Sequence, residues 1–190
     1  FSIDVAREGA DVLVKVTGAS AHGSRPEEGV NPLPRLALFL KESGLVLPPN
    51  GYAQAVRYLT DLYGTDYLGR TMGLAYSDDF MGPLTMSPNL IREKDGKVDV
   101  LVNVRMPRGN TPEALAKATT ERIKAWGTQA GVAVEVDHNQ GNWMARDPKG
   151  AWLATLLNTF GDTTGLEAKP VPTAGSTTAK LMPNACLLYT

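Results

Sequence analysis

Histidine and cysteine are scarce in this chain: 190 residues hold two of the former and one of the latter. A catalytic zinc commonly takes three protein ligands from His, Asp, Glu or Cys, usually with a His among them. His22 and His138 stand far apart, and no HExxH, CxxC or His-x-Asp pair is present. A self-contained zinc hydrolase is therefore not expected. Cys186 has no second cysteine to pair with, which leans toward a reducing compartment, and a cytoplasmic location is the expectation. An excess of either charge is also missing, since 19 basic residues against 20 acidic ones leave a net of −1. That removes the electrostatic footprint of a nucleic-acid binder or a basic membrane-surface protein. No apolar run approaches the ~20 residues that cross a bilayer, and no charged-then-apolar signal opens the chain.

What is present is a globular composition. An apolar fraction of 43% can bury a core, and the length suits one domain or one and a half. Asp11 to Thr17 alternates and reads as a strand, and Phe1 is expected to begin inside another. Helical spacing runs from Val30 to Ser43 and again from Tyr52 to Tyr63, with a shorter helix expected near Asp66 to Met72. Leu84 to Glu93 and Val98 to Met106 flank Lys94-Asp95-Gly96-Lys97, a hairpin signal. Thr111-Pro112 opens a helix that runs to Gly131, and Val132 to Asp137 alternates as one more strand. These elements predict an α+β fold, a two-layer antiparallel sheet with helices on one face. Residues 139–150 turn polar and Gly-rich, which marks a boundary. Beyond it Gly150 to Phe160 reads as a helix, and another helical segment follows Thr178. Both ends look cut within longer elements.

Three places could carry chemistry. Ser20-Ala21-His22-Gly23-Ser24-Arg25-Pro26 follows the first clear strand. His22 reads either as a donor to a substrate carbonyl or phosphate or as an exposed loop histidine. Arg105 alternates with valines and points away from the buried face. Its fork suits a substrate carboxylate, or it is a strand arginine that is solvated or paired. Gly175-Ser176-Thr177-Thr178 is either a backbone anion site or a plain helix cap; the GK[ST] ending of a phosphate-binding loop is absent.

Taken in order, the three resemble one family. Ser20-Ala21-His22-Gly23-Ser24, Pro26 and Gly29-Val30-Asn31 resemble the S-A-H-G-S-x-P-x-x-G-x-N segment of the dinuclear zinc peptidases. That superfamily includes aminoacylase, carboxypeptidase G, carnosinase and the bacterial dipeptidase V. Asn103-Val104-Arg105-Met106-Pro107 is similar to its strand around a substrate-binding arginine. Ala174-Gly175-Ser176-Thr177-Thr178-Ala179-Lys180-Leu181-Met182-Pro183-Asn184 resembles the G-G-T-x-A-R-x-M-P-N segment of the dipeptidase V branch, with Ala174 and Lys180 departing from it.

The resemblance implies a lid domain over residues 1–138 and part of a returning catalytic domain over 139–190. It implies His22 as the catalytic oxyanion donor, and Arg105, Gly175, Ser176 and Thr177 as substrate-binding groups for a peptide with a free C-terminal carboxylate. Two zinc ions belong to the intact parent; no metal ligand and no cofactor is expected in this fragment, which is expected to be inactive alone. The implied partners are a small peptide, the remainder of the catalytic domain and, through the lid, a second copy; nucleic acid and membrane are not among them. A non-catalytic α+β binding or dimerisation module is the competing class, and an acyltransferase on the same scaffold is a third.

Overall fold

The computed structural model describes residues 1–173, 175 and 178–182. Ser2–Glu8 (β1) and Asp11–Thr17 (β2) form an antiparallel hairpin. Pro32–Glu42 (α1) and Gly51–Leu62 (α2) follow, each opened by an asparagine. Asn31 Oδ1 accepts the Leu33 N–H and Asn50 Oδ1 accepts that of Ala53, which satisfies donors that a helix start leaves unpaired. A two-residue pairing of Ser77–Asp78 (β3) with Gly82–Pro83 (β4) leads into the long hairpin of Thr85–Lys94 (β5) and Lys97–Arg105 (β6). Its turn is Asp95-Gly96, with φ of 52° and 74°, the handedness that two-residue hairpin turns require. Pro112–Ala130 (α3) starts where Thr111 Oγ1 accepts the Ala114 N–H and stops at the left-handed Gly131. Ala151–Thr164 (α4) runs one turn beyond the predicted Phe160, to Gly165, and Thr178–Leu181 forms a 3-10 turn.

The described strands are all antiparallel, in three two-stranded sheets, and with four α-helices they give the α+β class that the sequence predicts. One apolar cluster holds the fold. Leu59 and Leu62 of α2, Met86 of β5, and Leu115, Ile123 and Trp126 of α3 are buried in it, with Val100, Val102 and Val104 of β6 packed against them. Burying each large side chain stabilises by roughly 1.5–3 kcal/mol. Even-numbered residues of β6 thus face the core and leave Asn103 and Arg105 to the opposite face.

Two predicted elements differ. Asp66 to Met72 forms no helix but a run of turns. Asp66 carboxylate oxygens accept the Leu68 and Thr71 N–H groups, and Gly69 and Gly73 have φ of 71° and 70°, so local side-chain bonding displaces the helical ladder. Val132 to Asp137 forms no strand and pairs with no described strand. Its alternation is explained by packing on the core without strand pairing. Val132 N–H bonds Gly127 O at 2.8 Å, and Val132, Val134 and Val136 pack on the core. A side chain at Gly127 would collide with Val134, so this glycine lets the segment lie close along α3.

Candidate functional site

Two segments converge on β6. The loop bearing His22 is pinched where Ala19 and Val30 exchange backbone hydrogen bonds, Ala19 N–H to Val30 O at 3.1 Å and Val30 N–H to Ala19 O at 2.9 Å. Gly18 and Gly29 flank the pinch because nothing larger fits. A Cβ on Gly18 would overlap the Val30 carbonyl oxygen, and one on Gly29 would stand 2.6 Å from Ala21 Cβ and 2.8 Å from Ala19 O. Inside the loop, Arg25 N–H bonds His22 O at 2.8 Å and Gly29 N–H bonds Pro26 O at 3.3 Å.

His22 is exposed. Its Nδ1 accepts the Ser24 N–H at 3.2 Å and lies 2.7 Å from Ser24 Oγ. A backbone amide only donates, so in the neutral ring Nδ1 holds the lone pair and Nε2 carries the proton. Nε2–H is then the donor left for a ligand.

The loop rests against β6 at Gly23, where an added Cβ would lie 3.6 Å from Cγ and Nδ2 of Asn103. That is ordinary contact distance, so neither crowding nor backbone conformation demands glycine there. Asn103 Oδ1 in turn accepts the Arg105 Nε–H at 3.0 Å. Across the hairpin Ser87 pairs with Asn103 and Thr85 with Arg105. Asn31, which caps α1, also donates through Nδ2 to Pro88 O at 2.6 Å and Ser87 Oγ at 3.3 Å. The far end of the His22 loop is thereby tied to β5.

The asparagine engages Arg105 Nε, and among the described residues no carboxylate pairs with the guanidinium, so both Nη groups are left without a bond. Arg108 nearby is committed. Its Nε and Nη2 grip Asp78 Oδ2 and Oδ1 at 3.0 and 3.1 Å, and Asp78 also accepts the Phe80 and Met81 N–H groups. These bonds, Arg108 first, hold the Asp78 carboxyl below the usual carboxylate range.

Asn103, Arg105 and Gly175 border an open cleft of about 1330 Å³ between β6 and the segment 132–146, walled partly by Trp126, Val134 and Trp143; His22 is not in its wall. Gly175 N–H donates to Thr173 Oγ1 at 3.1 Å. Ser176 and Thr177 lie outside the described residues, as do Ala174, Pro183 and Asn184 of the same motif. His138 has a structural contact, Nε2 lying 2.8 Å from Thr120 Oγ1 on α3. Among the described residues no three His, Cys, Asp or Glu side chains gather as metal ligands, so the two zinc ions that the resemblance implies find no ligand set there. No described helix is long and apolar enough to cross a membrane.

Asn103 is the residue of the candidate site whose contacts the sequence reading missed. The signal was in the spacing, since Asn-x-Arg on an alternating strand places both side chains on one face.

No family model matches the chain. It is 28% identical over 181 residues to the Beta-Ala-Xaa dipeptidase of Lactobacillus delbrueckii subsp. lactis, covering 95% of this chain and 36% of that protein. It is also 28% identical over 105 residues to the "putative dipeptidase YtjP" of Bacillus subtilis (strain 168), covering 55% of this chain and 22% of that protein. The chain therefore spans well under half the length of either relative. Both relatives carry dipeptidase names, in agreement with the resemblance drawn from the three motifs.

Proposed function

We propose that the chain, 28% identical to two proteins named as dipeptidases, comes from an enzyme of the dinuclear zinc peptidase superfamily, with residues 1–138 its lid domain and 139–190 part of its catalytic domain. The observation that carries this reading is the seating of the His22 loop on the strand that holds Arg105. In the intact enzyme His22 Nε2–H donates to the scissile carbonyl oxygen and stabilises the negative charge that develops there, an effect of a few kcal/mol. Arg105 clamps the C-terminal carboxylate of the substrate through its Nη groups. Gly175, Ser176 and Thr177 offer donors to the same end. Two zinc ions, held by residues beyond those described here, supply Lewis-acid chemistry when bound. Lid closure brings His22 and Arg105 to the bound peptide and expels water. The partners are a short peptide, the rest of the catalytic domain and a second copy met through the lid, in the cytoplasm, with no role for nucleic acid or membrane. The 190-residue chain alone hydrolyses nothing.

The test uses the full-length enzyme. His22→Ala lowers kcat by about 10²–10³-fold, the scale of losing one oxyanion donor, with zinc content unchanged. Arg105→Ala raises KM for dipeptides with a free C-terminus and has much less effect on C-terminal amides. A near-normal kcat for the first variant sinks the histidine's role, and equal losses on both substrates sink the clamp.

A further inference from the structure

We propose that Asn103 is a positioning residue: its side-chain carbonyl fixes the Arg105 guanidinium so that the Nη edge is presented to the substrate carboxylate. The proposal rests on the clamp assigned to Arg105 above and adds the element that orients it.

An arginine side chain turns about several bonds, and a bidentate grip needs the planar fork in one orientation. Leaving a long side chain free to turn costs binding, because its rotamers must be frozen when the ligand arrives. In this site the freezing is done beforehand. Asn103 Oδ1 accepts the Nε–H at 3.0 Å in a part-buried setting, and Nε is the donor nearest the stem, so this bond sets the plane of the whole group. Five guanidinium N–H donors exist; one is used, and the four on Nη remain. The acceptor is itself fixed. Gly23 lies against the amide of Asn103, with room for a methyl but little more, and Ser87 faces Asn103 across the hairpin, with Asn31 bonded to Ser87. An acceptor carrying full charge would orient the fork as well, yet it would also compete for the Nη edge. A neutral amide oxygen orients it and leaves the positive charge for the ligand.

The experiment compares Asn103→Ala, Asn103→Asp and Arg105→Ala in the full-length, zinc-loaded enzyme, with a dipeptide and its C-terminal amide as substrates. Asn103→Ala should raise KM for the free dipeptide about tenfold, the scale of one charge-assisted hydrogen bond, while kcat/KM for the amide changes less than about threefold. Asn103→Asp, whose carboxylate orients the fork but competes with the ligand for the Nη edge, should recover only part of the lost affinity. The proposal is overturned if Asn103→Ala lowers both substrates equally, which would mean that Asn103 only seats the loop, or if it changes neither. Arg105→Ala separates the two levels. If it fails to discriminate between the substrates, the clamp itself is wrong; if it discriminates and Asn103→Ala does not, only the positioning role falls.

Discussion

Replacing Gly18 by alanine tests the pinch that closes the His22 loop. The new methyl would overlap the carbonyl oxygen of Val30 and stand 2.9 Å from Pro32 Cδ. The first obstacle is backbone and the second the rigid ring that opens α1, so neither yields as a flexible side-chain end would. Relief requires the Val30 carbonyl to move, and that oxygen is the acceptor of the Ala19 N–H. The reciprocal bond from Val30 N–H to Ala19 O loosens with it. Two such bonds contribute about 2 kcal/mol together. Alanine restricts the unfolded chain and returns about 0.4–1 kcal/mol, so the net loss is on the order of 1–1.5 kcal/mol. Gly23→Ala is the control within the same loop: its methyl meets Asn103 at ordinary contact distance, and only the favourable entropic part remains. Urea unfolding followed by tryptophan fluorescence should show Gly18→Ala with a lower midpoint and an unchanged slope. Gly23→Ala should match or slightly exceed the parent. If Gly18→Ala proves as stable as Gly23→Ala, the pinch does not hold the loop as described.

Two further predictions concern ionisable groups, Asp61 at the surface and Tyr63 in the core. Partial burial pushes the Asp61 carboxyl up, but bonds donated by Lys41 Nζ and Trp126 Nε1 outweigh it and hold the group below the usual carboxylate range. Its stabilising effect is then present above the unfolded value near ~3.9 and is lost as pH falls through the lower folded value. The difference in unfolding free energy between parent and Lys41→Met, at most about 1 kcal/mol for so exposed a pair, should therefore disappear in acid, and a difference that persists unchanged there would contradict the ion pair. Tyr63 is pushed far above the ordinary phenol by burial and then by Tyr58, whose hydroxyl lies 3.2 Å from its own. Ultraviolet titration of Tyr63→Phe should overlay that of the parent until the chain unfolds in alkali; loss of a normally titrating tyrosine would refute this.

How far the sequence could be read follows from which signals are local. Asp95-Gly96 fixes its own turn by positive φ, and Thr111-Pro112 and Gly131 fix both ends of α3 through groups within a few residues. Those elements were legible almost to the residue. Asp66 to Met72 was not, because apolar spacing suggested a helix while one aspartate bonded the backbone in turns. Val132 to Asp137 failed for another reason. Period-two burial reports that one face is covered and says nothing of whether strand or helix covers it. In the candidate site, His22 and Arg105 were singled out through their motifs. The link between them was not, since it runs through Gly23 and Asn103, which lie 80 residues apart (103 minus 23) and meet only once the loop folds onto β6.

Under the proposed reading, that link bears on how a lid domain would bring its groups to a substrate. A group acting on developing charge is effective when it needs no reorganisation at the moment of reaction. A histidine on a ten-residue loop and an arginine on a strand end are both mobile by default. Here the loop is shortened to a closed ring by the Ala19–Val30 bonds, fastened at one end through Asn31 to β5, and laid at Gly23 on Asn103. The arginine is held by the same asparagine. Asn103 thus holds the arginine beside the loop on the β5–β6 hairpin, which is anchored in the core through Met86, Val102 and Val104. Under the proposed reading, the groups for the two ends of a substrate are in this way referred to a single hairpin, and closing the lid would deliver them together rather than separately.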